Sequence, residues 1–165
     1  MRQFLFCHIG WMSRYQGLKE QSDKIVGGGS WIEENRTGAE VCNFRECDDG
    51  YVYGHVETLL GEPEAKGYDR KIKIEEIGAR PDAEYIDGVT VVWTAKHPEG
   101  GRLVVGWYRD ARIWRVRQEF KKAPSRQHRK DGLDTYRVRA QIGNKVLLPP
   151  EARYLAALIH EHADL

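Results

Sequence analysis

Cysteine is scarce in this chain, with only Cys7, Cys42 and Cys47 among 165 residues. Their number is odd and none forms a C-x-x-C pair, which argues against a disulfide framework and against zinc ligation and leaves buried or incidental thiols as the expectation. Long apolar runs are also missing. Nothing approaches the roughly 18 residues needed to span a bilayer, and the N-terminal MRQFLFCHIGWM has too short an apolar stretch and no small-residue cleavage site for a signal peptide. A cytoplasmic protein is expected. Catalytic signatures are absent too: there is no G-x-S-x-G, no G-x-x-x-x-G-K-[ST] and no metal-spaced set of His, Asp and Glu. His160 and His162 form an H-x-H, which on a helix sends its two imidazoles about 200° apart, unlike the i, i+4 histidines of H-E-x-x-H. The chain alone is therefore not expected to be an enzyme, and it is expected to need no metal and no cofactor.

What is present suits one globular domain. Apolar residues make up 41% and charged residues 31% of the chain, a composition that can bury a core. The organising stretch is residues 89–114, VTVVWTAKHPEGGRLVVGWYRDARIW. Two β-branched runs, 89–95 and 103–108, flank His97-Pro98-Glu99-Gly100-Gly101, which has the composition of a hairpin loop. Alternation puts Val89, Val91, Trp93 and Ala95 on one fully apolar face and Thr90, Val92 and Thr94 on the other. Trp93, Trp107 and Trp114 lie in or just after this hairpin. Such a sheet is either a well-filled core or a platform for a flat ligand.

Other short runs read as further strands: 4–9, expected to be buried on both faces, 39–44, 51–57 and 135–142. In the last, Tyr136, Val138, Ala140 and Ile142 should share one face, with Arg137, Arg139 and Gln141 forming a basic outer face. Arg109 to Arg112 reads as a turn or bulge, residues 121–132 (KKAPSRQHRKDG) as a flexible surface loop, and 72–77 as a short strand or helical turn. Leu148-Pro149-Pro150-Glu151 opens the one convincing helix, with proline at its start and an acid at the positive end of the dipole. The expected fold is mainly β: a small curved barrel of five to seven strands with short helices and one C-terminal helix. Residues 1–148 form the domain, and 149–165 a C-terminal helix or the start of a linker.

Charge is uneven. Residues 1–101 hold 12 Lys/Arg against 18 Asp/Glu, whereas 102–139 hold 12 against 4. A basic face for a polyanion follows from that imbalance as readily as a solvated strand edge does. Two loops add flat surfaces beside glycine. Residues 10–17 (GWMSRYQG) place Trp11 and Tyr15 at a strand exit, and residues 27–31 (GGGSW) place Trp31 after three glycines that imply an unusual backbone or a close approach. Trp11 either plugs the end of the sheet or touches a ligand.

The order GWM-x-x-Y-x-G, GGGSW, Asn43-Phe44, Y-x-D-G-V-T-V-V-W and V-V-G-W-Y resembles the modification-sensing domains found N-terminal to HNH nucleases in modification-dependent restriction enzymes. These belong to the PUA-like superfamily, together with EVE and YTH domains. The resemblance covers about residues 4–148, and no HNH region follows. It implies a domain that flips a modified base of DNA into an aromatic pocket, with a nuclease domain in the same or another chain. Unstacking costs a few kcal/mol, which ring stacking and hydrogen bonds to the base edge offset. On that reading Trp11 and Trp31 form walls, Ser30, Asn43 and Asp87 bond the base edge, and Arg14, Lys24, Arg109, Arg112, Arg115 and Arg117 hold phosphates. Trp93 is a third ring candidate that suits the core equally well. An RNA-binding PUA-like domain or a protein-interaction module is the alternative.

Overall fold

The computed structural model describes residues 3–18, 23–27, 38–57 and 71–154. Its strands are β1 (Gln3–Ile9), β2 (Tyr51–Gly54), β3 (Tyr85–Lys96), β4 (Arg102–Glu119), β5 (Thr135–Gln141) and β6 (Lys145–Leu147). A short helix, α1 (Arg126–Lys130), and 3-10 turns at Ala39–Cys42, Ile74–Ile77 and Ile142–Asn144 interrupt them, and residues 150–154 are helical after β6, where the C-terminal helix is expected. The strands make one open mixed sheet in the order β1-β3-β4-β5-β2, with β6 paired to β4. The fold is mainly β. Among the described residues no helix is long and apolar enough to cross a membrane.

The hairpin forms where the sequence places it and runs further. His97 N donates to the Gly101 carbonyl at 2.9 Å, and Gly100 and Gly101 take φ of 115° and 79°, which lets the loop close. Val89, Val91, Trp93 and Ala95 are all fully buried, as alternation expects. Along β4 the buried set changes parity twice, from Leu103 and Val105 to Tyr108 and then to Ala111 and Ile113. Each change coincides with a slip in the β3 register, and at the second Asp110 takes φ 51° opposite a β3 segment where Gly88 takes φ 77°. These bulges let one 18-residue strand keep an apolar inner face while it serves three partners.

Four expectations are corrected. First, β1 is buried on one face only. It is the outer strand, paired in parallel with β3, and Phe4 and Phe6 are 50% and 69% exposed. Phe6, Val92 and Trp107 line up across β1, β3 and β4 on that outer face. Second, residues 39–44 are a 3-10 turn and its exit rather than a strand. Glu40, Val41, Cys42, Asn43 and Phe44 are consecutively buried, which the alternation of a one-sided strand cannot deliver.

Third, residues 121–132 are not a plain surface loop. Ser125 Oγ accepts from His128 N at 3.3 Å as the cap of α1, and Gln127 and His128 are buried. Fourth, Arg137 is fully buried instead of lying on a basic outer face, and Tyr136 packs against Tyr53, Trp114 and Phe120 rather than with Val138 and Ala140. Between Ile113 and Gln118 the β4 chain advances five residues while β5 advances two, from Val138 to Tyr136, so alternation along β5 is broken there.

Candidate nucleic-acid interface

Two clusters lie at opposite ends of β3. The first is the loop after β1. Ser13 N and Arg14 N donate to the two carboxylate oxygens of Asp23 at 2.6 and 2.9 Å, and Gly10 N donates to Glu40 at 3.2 Å. Tyr15 takes φ 51° and donates its hydroxyl to the Gly10 carbonyl at 2.7 Å, and burial raises its pKa well above the ordinary phenol range. The Arg153 guanidinium, fully buried, donates to the Met12 and Ser13 carbonyls at 2.7 Å each. Two carboxylates and an arginine thus satisfy loop backbone that would otherwise be buried unpaired.

That frame fixes Trp11. Its backbone exchanges two hydrogen bonds with Val26, at 2.7 and 2.9 Å. The residue is 8% exposed, and its ring centroid lies 4.6 Å from the Arg153 guanidinium carbon and meets the His97 ring edge-on at 4.6 Å. Tyr154 in turn packs on His97 at 5.1 Å. These contacts hold Trp11 within the buried core cluster at the exit of β1. Trp31 and Ser30 lie outside the described residues.

Asn43 is committed to structure, since its amide nitrogen donates to the His55 carbonyl at 3.0 Å and its oxygen accepts from His55 N at 2.9 Å. Trp93 is in the core, edge-to-face with Tyr108 at 5.2 Å. Arg14, Lys24 and Arg109 are exposed.

The second cluster gathers Asp87 and Arg112 on the outer face of the sheet. The two carboxylate oxygens of Asp87 accept from Nε and Nη2 of Arg112 at 2.7 and 2.8 Å, a fork that raises the arginine's pKa. Tyr85, Arg112, Trp114, Arg139 and Tyr51 alternate ring and guanidinium. Arg112 lies 3.9 Å from the Tyr85 centroid and 5.7 Å from that of Trp114, and Arg139 lies 5.5 Å from Trp114 and 4.5 Å from Tyr51. Tyr136 extends the row, 5.1 Å from Trp114 and stacked on Phe120 at 4.7 Å. These residues come from four strands, and cross-strand register assembles them: Tyr85 faces Trp114, and Arg112 faces Arg139.

Arg115 and Arg117 are turned to other work. Arg115 donates to the Ala83 and Pro81 carbonyls at 2.9 and 3.0 Å and pairs with Glu75, which pins the turn before β3. Arg117 reaches Glu57 at 3.1 Å. Glu57 also bonds buried His55 at 2.8 Å, and that bond leads the effects that hold its carboxyl down at about 2. Sequence reasoning missed Tyr51, Tyr85, Arg139 and Arg153. Alternation in 51–54 and 135–141 puts Tyr51 and Arg139 on polar faces, but nothing local says those faces meet.

Comparison of the chain with family models, curated proteins and solved structures found no match.

Proposed function

We propose that this chain is a nucleic-acid-binding domain that reads a modified base of DNA, flipped out of the stack against Trp11, on a PUA-like barrel. The observation that carries the reading is the pinned loop at the exit of β1. A ring that must discriminate one base from another has to be rigid before the base arrives, because ordering it on binding would spend the stacking energy. Trp11 meets that requirement through Asp23, Arg153 and Val26. The resemblance in motif order supports a modified base as the target and a role as the sensor part of a restriction system, with a nuclease domain as partner. The lysine and arginine excess in 102–139 supports a polyanion as the ligand.

Trp11→Phe keeps most of the packing and shortens the stacking surface. It should reduce the preference for modified over unmodified duplex about tenfold, the scale of one base–ring contact, while salt-dependent binding to unmodified DNA stays as in wild type. An unchanged preference would remove Trp11 from the reading.

A further inference from the structure

We propose that the arginine–aromatic row on the outer face of β3, β4, β5 and β2 is a second nucleic-acid site, one that holds unpaired nucleotides. The inference does not rest on base reading at Trp11. Tyr85 and Lys96 are the two ends of β3, roughly 35 Å apart at the usual strand rise, and Trp11 meets His97 just beyond the far end.

Three observations converge on this face. Arg112 and Arg139 are direct cross-strand partners, an arrangement that like charges make unfavourable, so stability alone does not call for it. Asp87 neutralises Arg112, whereas Arg139 has only the Tyr51 and Trp114 rings among the described residues and no carboxylate. Among the described residues the cluster therefore leaves the Arg139 guanidinium without a carboxylate in hydrogen-bond contact. Asp110 sits at φ 51°, in the left-handed region. It lines a shallow pocket of about 120 Å³ with Tyr51, Asp87, Arg112, Arg139 and Gln141.

The chemistry of that pocket selects among ligands. Two arginines and two aspartates balance, so the site does not suit a bare anion, which the carboxylates would repel. A nucleotide suits it better: its phosphate meets Arg139, its base presents donors to a carboxylate and acceptors to a guanidinium, and its flat face lies on the row of rings and guanidinium planes. Tyr85, 42% exposed, and the stacked pair Tyr136 and Phe120 continue the row on either side. Duplex DNA hides its base faces, so the ligand is single-stranded. Rings and arginines do not distinguish ribose from deoxyribose.

The test is fluorescence anisotropy of the full chain with a labelled ten-nucleotide single strand and an abasic strand of the same length, as DNA, and with the RNA ten-mer. Wild type should bind the base-bearing strands about tenfold more tightly than the abasic one. Tyr85→Ala and Tyr51→Ala should each weaken base-bearing strands five- to tenfold and leave the abasic strand unchanged. Arg139→Gln should weaken both and lower the slope of log affinity against log salt by about 0.7. Trp11→Phe should change none of these values, which separates this site from the one at Trp11. Equal affinity for base-bearing and abasic strands overturns the proposal, as does wild-type affinity in the tyrosine and arginine variants at unchanged melting temperature. Binding of neither strand also overturns it and leaves the face to a protein partner.

Discussion

His128 shows how a single side chain in a basic segment can be structural. It is buried, its Nδ1 lies 2.9 Å from Ser125 Oγ, and its ring meets Phe120 at 5.7 Å. Burial, with the Arg45 guanidinium nearby, pushes its pKa down to about 4, and Asp131 and Asp49 oppose that shift without cancelling it. The folded chain thus binds its proton more weakly than the unfolded chain, whose histidine titrates near 6.5. Stability from this group is complete above about pH 6.5 and is lost as pH falls toward 4. His128→Asn should remove that component, so the urea stability of wild type should fall by about 1–2 kcal/mol more than that of the variant between pH 7 and 5. Parallel loss in both proteins would place the titration elsewhere. The run of basic letters around His128 reads as solvated because charge dominates its composition, yet Ser125 before an i+3 partner is a cap, and a cap starts a helix.

Among the elements, β3 was the most legible in the sequence and β5 the least. Four apolar residues in strict alternation are enough to define the inner face of β3, because period two leaves no other arrangement once one face is buried. In β5 the same reasoning assigns Tyr136 to the core and Arg137 to solvent. The bulge against β4 undoes that assignment, and a bulge is set by a partner strand that local sequence does not reveal. The parallel pairing of β1 with β3 is hidden for a related reason, since a long crossover separates the two strands. Close approach between elements gives a direct test of the packing. A Cβ at Gly54 would lie 2.6 Å from Trp93 Cζ2, so Gly54→Ala must displace the ring at the centre of the core. Overpacking of that kind should cost about 1–3 kcal/mol in chemical denaturation, whereas a change below about 0.5 kcal/mol would mean that Trp93 moves freely. Both candidate sites depend on this hairpin, since His97 at one end of β3 touches Trp11 and Tyr85 at the other carries Arg112.

For the whole molecule, a small formal net charge of +1 hides a division of labour. The acidic residues that face arginines hold structure at Glu57, Glu75 and Asp87, and the arginines they meet, Arg117, Arg115 and Arg112, are fixed in place by them. The basic excess was legible by counting, but which cations remain for a ligand was not, because pairing is decided by strands that meet far apart in sequence. Trp11 was legible as a residue out of place in a loop, whereas the Arg153 and Asp23 that hold it were not. The central claim is that this frame recognises a base modification, and affinity measured on wild-type protein tests it most directly. Duplexes identical except for one base, unmodified or carrying 5-methylcytosine, 5-hydroxymethylcytosine or N6-methyladenine, should be compared at a salt concentration that suppresses non-specific binding. The account predicts at least about tenfold tighter binding, near 1.4 kcal/mol, for one of the modified duplexes. Equal affinity across the set, varying with salt alone, would contradict it.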